Sequence, residues 1–159
     1  MSEKKDKAQE YFKLAYEAQM KGKLKEAVSF YKKSIEFRPT AEAHTFLGWT
    51  YSMQGRLPEA IEECHRAIAI DPDFGNPYND IGAYLIELNK PDEAISWLEK
   101  AIASKRYACY FYPHYNLGRV WETKGKWIKA MEEYQKALKL KPDYDLAYRS
   151  YLGIQARMN

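Results

Sequence analysis

One residue pattern is written four times along this chain. Gly48, Tyr51, Gly55, Ala60, Ala67 and Pro72 recur as Gly82, Leu85, Asn89, Ala94 and Ala101, then as Gly118, Trp121, Gly125, Ala130, Ala137 and Pro142. An earlier copy runs Ala15, Ala18, Gly22, Ala27, Ser34 and Pro39. The steps between Ala27, Ala60, Ala94 and Ala130 are 33, 34 and 36 residues. A fixed period of this length signals a stacked repeat array and so sets the whole architecture.

Each unit reads as two short helices around a tight turn. In the second unit, Leu47, Tyr51, Leu57, Ile61, Cys64 and Ile68 are spaced three and four apart, which places one apolar stripe on each helix. Gly22, Gly55 and Gly125 stand where a left-handed residue should end the first helix, and Asn89 takes that place in the third unit. Pro39, Pro72 and Pro142 close second helices, because proline cannot continue a hydrogen-bonded helix. Pro77 and Pro113 suit a first helical turn. The small residues Gly48, Gly82, Gly118, Ala60, Ala94 and Ala130 are expected where paired helices cross closely.

The pattern resembles the tetratricopeptide repeat family, whose motif runs large aromatic, Leu-Gly, Tyr, Ala, aromatic, Pro. The fourth unit carries it as His114, Leu117-Gly118, Trp121, Ala130, Tyr134 and Pro142, and the first as Tyr11, Leu14-Ala15, Ala18, Ala27, Tyr31 and Pro39. The third unit departs from it: Arg106 replaces the proline and two extra residues precede the fourth unit, so either the second helix lengthens or the loop bulges. The resemblance implies an all-α, right-handed superhelical solenoid. Its four helix-turn-helix repeats are expected at about 8–40, 41–74, 75–110 and 111–144, with a capping helix at 145–159, in a single domain over 1–159.

Composition sharpens the class. No apolar run approaches a membrane span and the Lys-rich start lacks a secretory hydrophobic segment, so a complete chain of this kind reads as cytoplasmic. Cys64 falls at a core position and Cys109 in the third-to-fourth connection, so no bridge between them is expected. Charge is uneven. Residues 1–40 carry +4, residues 41–104 carry −7 and residues 105–159 carry +6. Basic ends around an acidic middle suit electrostatic partner selection or end-to-end assembly, besides simple solvation.

Catalytic and metal-binding patterns are missing from the sequence. There is no phosphate loop, nucleophile elbow or zinc-protease signature. His44 and His114 occupy the position held by Tyr11 and Tyr78 in the other units, which makes them packing residues. The acid pairs Glu62-Glu63, Asp92-Glu93 and Glu132-Glu133 read as solvated or dipole-compensating groups. No cofactor or metal is expected, and the chain reads as non-catalytic. Lys124, Lys126, Lys129, Lys136, Lys139 and Lys141 crowd the fourth unit, but the acidic middle interrupts any continuous basic stripe, so nucleic acid is not an expected partner.

Under the resemblance, first helices line a concave groove. The expected groove residues are Phe12, Tyr16, Phe46, Trp49, Asn79, Asp80, Tyr112, Tyr115, Asn116, Arg119 and Arg149. Phe12, Tyr16, Phe46 and Trp49 are large aromatics off the core stripe, which suits a recognition surface or burial between neighbouring first helices. Asn79 and Asn116 can each donate and accept, as a clamp on an extended peptide would require. Glu42, Asp80 and Glu87 add negative charge, and Arg119 and Arg149 add positive charge. Family members that clamp acidic chaperone tails use Lys, Asn and Arg; the matching positions here hold Phe12, Tyr16, Phe46, Asn76 and Asp80, which disfavours that role. The expected activity is a protein-interaction scaffold for an extended peptide or partner helix. The alternative is a self-associating unit, a homo-oligomer built through the charged ends or the Tyr107–Tyr112 connection.

Overall fold

The computed structural model describes residues 2–159; Met1, the first residue of the expected domain, lies outside them. The described residues form nine helices: α1 (Ser2–Met20), α2 (Leu24–Phe37), α3 (Ala41–Met53), α4 (Leu57–Ile70), α5 (Asn76–Glu87), α6 (Pro91–Ala103), α7 (Phe111–Thr123), α8 (Trp127–Leu140) and α9 (Asp145–Met158). The turns inside the four units sit at positive φ: Gly22 at 75°, Gly55 at 76°, Asn89 at 60° and Gly125 at 71°. These are the four positions at which the sequence predicts a left-handed residue. Before Pro39 and Pro72 the chain turns extended at Arg38 and Asp71, and before Pro142 Lys141 leaves the helical region at φ −140° and ψ 89°, as the ring of a following proline favours. Thr40 caps α3 by accepting from the Ala43 amide at 3.0 Å.

Packing follows the repeat. Helices pair α1 with α2, α3 with α4, α5 with α6 and α7 with α8, and each pair packs on the next. Ala27, Ala60, Ala94 and Ala130 are fully buried at the crossings. A Cβ on Gly48 would stand 2.9 Å from the Ala60 carbonyl oxygen, and one on Gly118 would run into the Tyr134 ring. The first helices also touch one another, α1 with α3, α3 with α5 and α5 with α7. They therefore form the inner wall of the solenoid, and the second helices ride outside.

The third connection bulges; α6 does not lengthen. Residues 104–110 fold back on the preceding loop, with the Gly75 amide donating to the Arg106 carbonyl at 3.0 Å and the Arg106 amide donating to Asp73 at 2.9 Å. The Arg106 side chain pairs with Asp71 at 2.7 Å and Glu42 at 2.9 Å, and its guanidinium lies 4.1 Å from the centre of the Phe74 ring. What looks in the sequence like a lost proline is an arginine that ties the third unit to both ends of the second.

At the C-terminal end, α9 buries Ala147 and Ile154 but leaves Leu146, Tyr148, Leu152 and Met158 exposed. Cys64 is buried, Cys109 is half-buried, and both are free thiols.

Candidate functional site: the concave wall

The inner wall begins with an aromatic ladder. Phe12 meets Phe46 edge-on at 5.3 Å, Tyr16 meets Phe46 at 5.9 Å, and Phe46 meets Trp49 at 5.8 Å. The four residues divide into two kinds. Phe12 and Phe46 are half-buried against the core, with Phe12 also edge-on to Tyr31. Tyr16 and Trp49 stay open, at 42% and 40% exposure. Burial between first helices thus claims the two phenylalanines and leaves the two amphipathic rings facing the groove.

Further along, α3, α5, the third connection and α7 enclose a pocket of about 340 Å³ lined by Thr45, Phe46, Trp49, Asn76, Asn79, Asp80, Tyr107 and Tyr112. Asp80 is half-buried on its floor, and burial pushes its carboxyl up to about 7 against the opposing hydrogen bond from Asn79. Tyr107 forms part of the pocket because a Gly75 side chain would collide with its ring. Sequence reasoning places Tyr107 in a possible assembly loop and misses it as a groove residue. The only hint was a glycine opening α5 without a turn to explain it.

Several expectations need correction. Asn79 and Asn116 do not present free amides to a peptide: both are buried, and Asn116 donates to Asn79 at 3.0 Å. Arg119 donates in turn to Asn116 at 3.0 Å and lies over the Tyr115 ring, so the three side chains form a ladder along the wall. Glu42 is paired with Arg106, which it shares with Asp71, so it is not a free acid of the groove. Arg149 pairs with Asp145 on its own helix at 2.8 Å and remains exposed. Tyr115 packs edge-on to Tyr144 at 5.2 Å, and Tyr112 stays 40% exposed.

Two of the acids read as solvated are not. The Glu63 carboxylate accepts from His44 Nδ1 at 2.7 Å, and that of Glu133 from His114 Nδ1 at 2.8 Å, both carboxylates being largely shielded from solvent. Burial raises both carboxyls, but the histidine hydrogen bonds, joined by Arg66 and Lys136, bring the net value below the usual glutamate range. The aromatic connection is also spent internally: the Tyr110 hydroxyl donates to the Ser104 carbonyl at 2.7 Å and Phe111 packs on Tyr144 at 5.0 Å. Among the described residues no group of three or more His, Cys, Asp or Glu could hold a metal ion, and no helix is long and apolar enough to cross a membrane.

With the paired helices, the inner wall and the periodic turns in place, comparison with known sequences decides the family. Profiles described as tetratricopeptide repeat match residues 11–40, 41–74, 78–106 and 111–144. The chain belongs to the tetratricopeptide repeat family. Its repeats superpose on Pseudomonas aeruginosa PilF with a TM-score of 0.89, over 98% of this chain and 70% of that one, at 23% identity, which is a likeness of fold alone. MamA aligns with a TM-score of 0.73 at 29% identity over 95% of this chain and 80% of that one. The first repeat domain of Spaghetti (RPAP3), solved with the HSP90 peptide SRMEEVD, aligns with a TM-score of 0.67 at 23% identity over 74% of this chain and 92% of that one. In sequence, Hsp70-Hsp90 organizing protein 1 of Glycine max is 32% identical over 97 residues, covering 55% of this chain but 17% of that protein. The tetratricopeptide repeat is a protein-interaction fold, and the chain spans less than a fifth of the length of that Glycine max relative.

Proposed function

We propose that this tetratricopeptide array holds an extended segment of a partner protein along its concave wall, without catalysing a reaction on it. The observation that carries the reading is the open pair Tyr16 and Trp49, kept in place by Phe12 and Phe46 and continuing into the Asp80 pocket. Aromatic rings with packed bases and open faces bury large apolar area on binding at little entropic cost. The acidic floor beyond them favours a ligand with an apolar anchor followed by a basic residue. Acidic tails such as the HSP90 peptide carried by RPAP3 suit this wall poorly, since Asp80 would repel their carboxylates.

Peptide selection on the full chain tests this reading. Dodecapeptides enriched from a random display library should pair an aromatic or aliphatic anchor with Arg or Lys. Trp49→Ala should weaken their binding at least about tenfold while circular dichroism stays unchanged, because desolvated aromatic anchors often cost about 2 kcal/mol or more on truncation. Peptides that bind Tyr16→Ala and Trp49→Ala as tightly as wild type would remove the concave wall from consideration. Self-association has less support: of the aromatics at 107–112, Tyr112 is the one left well exposed, and the open apolar edge of α9 is what a second copy could use.

A further inference from the structure

Asp80 stands out among the acids of the central units because it is half-buried without a cation, whereas Asp73, Glu87, Glu93 and Glu99, which also lack one, are exposed. Glu63 is matched by His44 and Arg66, Asp71 and Glu42 by Arg106, and Asp92 by Lys124. Among the described residues, no Lys, Arg or His nitrogen lies within 4.0 Å of the Asp80 carboxylate. Arg119, a basic residue on the same wall, is engaged with Asn116 and Tyr115, and Arg106, next to Tyr107, with Glu42 and Asp71. Around this unmatched carboxylate stand the rings of Phe46, Trp49, Tyr107 and Tyr112. A pocket closed by aromatic rings and floored by an acid offers a cation two attractions together, ring quadrupoles and a charge partner in poor solvent.

Size and charge narrow the occupant. At about 340 Å³ the pocket lies at the small end of ligand sites, which span roughly 300–1,000 Å³, and suits one long side chain better than a folded element. Residues 41–104, which supply Thr45 through Asp80, carry −7, so the surrounding field draws cations towards it. A guanidinium is planar, weakly hydrated, stacks on rings and can donate two parallel bonds to a carboxylate; an ammonium gives up more hydration for a single point contact. We propose that the Phe46, Trp49, Tyr107 and Tyr112 pocket receives one arginine side chain of the bound segment, with its guanidinium on Asp80. This rests on the groove reading above and names the residue that the middle of the groove selects.

Protonation gives an independent readout. The other titratable groups that sense Asp80 are Cys64 on α4, Tyr84 on α5, Tyr107 in the connection and Tyr112 on α7, and burial pushes each of them upward, so they stay neutral. Asp80, raised to about 7, is then the pocket group that changes charge between pH 6 and 8. Arginine binding should strengthen across that interval and release a proton.

The test is an NMR titration of the full chain with N-acetylarginine amide, N-acetyllysine amide and N-acetylcitrulline amide. Citrulline keeps the shape of arginine and removes its charge, so the comparison needs no protein variant. Saturable shifts of the Trp49 indole are expected in the millimolar range for the arginine probe, a range usual for fragments of this size. Citrulline should bind at least about fivefold more weakly, and Asp80→Asn should cost the arginine probe a similar factor and abolish its pH dependence. Lysine should fall between the two. Equal binding of arginine and citrulline, lysine exceeding arginine, or shifts that map away from Trp49 would overturn the proposal. Tyr16 lies outside the pocket and separates the two readings. Selected peptides that still need Tyr16 while the arginine probe ignores Asp80 would remove this proposal and spare the groove. Peptides indifferent to Tyr16, with arginine held at Asp80 beside Trp49, would remove the extended groove and leave the pocket.

Discussion

Units two and four solve one packing problem differently from units one and three. At the same repeat position stand Tyr11, His44, Tyr78 and His114, and nineteen residues later stand Phe30, Glu63, Trp97 and Glu133. Where the first member is tyrosine the partner is aromatic: Tyr11 stacks on Phe30, and Tyr78 on Trp97, each at 6.2 Å and 27°. Where it is histidine the partner is a carboxylate. Three residues further on every unit carries a cation: Lys33, Arg66, Lys100 and Lys136. In units one and three that cation lies over the rings, with Lys100 4.4 Å from the Trp97 centre. In units two and four it pairs with the carboxylate, Lys136 at 3.1 Å from Glu133. One backbone site thus accepts an aromatic stack or a histidine–carboxylate–cation cluster, and the basic residue serves both. The difference is their response to acid and salt, since Glu63 and Glu133 change charge in the acid range while Phe30 and Trp97 do not titrate.

The largest effect should be indifferent to this alternation. Ala94→Leu and Ala60→Leu overfill the close crossing that both kinds of unit share, and each should cost about 3 kcal/mol, near the top of the overpacking range. Ala94→Leu should also split the unfolding transition followed by circular dichroism in urea, because neighbours couple only through adjacent interfaces. A single unchanged transition would mean that Ala94 is not at a tight crossing.

A swap tests the alternation itself. His44→Tyr alone strands the Glu63 carboxylate with only the half-exposed Arg66, and should cost about 2 kcal/mol. Adding Glu63→Phe recreates the unit-one arrangement and should recover at least half of that loss. If urea midpoints show the double variant worse than the single, the two arrangements are not interchangeable.

The pH profile separates three carboxylates by sign. Glu63 and Glu133 titrate below their unfolded value, so their contribution is present above about pH 4.5 and is lost as the pH falls through the folded values. Asp80 does the opposite. Its folded value, about 7, lies above the unfolded value, so the native state keeps a proton that the unfolded chain has released, and stability declines as pH rises from about 4 to 7. Asp80→Asn should therefore stabilise the protein at pH 8 by roughly 1–2 kcal/mol and leave it unchanged near pH 4. Glu63→Gln and Glu133→Gln should flatten the acid limb, whereas Tyr78→Phe should not. Thermal melts from pH 3 to 8 distinguish these outcomes. An acid kept at a stability cost is what a binding group, as opposed to a structural one, would show.

The smallest effects belong to the shared cations. Lys100→Ala, losing a cation over Trp97, should cost about 0.5–1 kcal/mol, and Lys136→Ala, whose side chain is 57% exposed, about 0.5 kcal/mol or less. The Lys136 effect should vanish in high salt. Equal salt sensitivity in both would contradict the division between ring-bound and acid-bound cations.

Much of the architecture was legible because it depends on local rules that repeat. A left-handed residue must end each first helix, so Gly22, Gly55, Asn89 and Gly125 announced the turns, and Ala27, Ala60, Ala94 and Ala130 announced the crossings. The site was less legible. Glu63 and Glu133 looked solvated because adjacent acids hide which one faces inward, although the nineteen-residue spacing from each histidine was there to be read. Asn79 and Asn116 looked available because each was considered alone, and their mutual bond spans two units. Arg106 looked like a missing proline because its partners, Glu42 and Asp71, come from earlier in the chain.

The division has one physical cause. Period, helix ends and close crossings follow from backbone sterics and side-chain volume over a few neighbouring residues, and these the chain determines by itself. Which polar group meets which is set when units stack, since the stacking brings residues some 34 apart within a few ångströms and decides which are dehydrated. Asp80 illustrates both halves. The sequence alone places an acid on the inner wall, while only the tertiary structure surrounds it with Phe46, Trp49, Tyr107 and Tyr112, leaves it without a cation, and so raises its carboxyl to about 7.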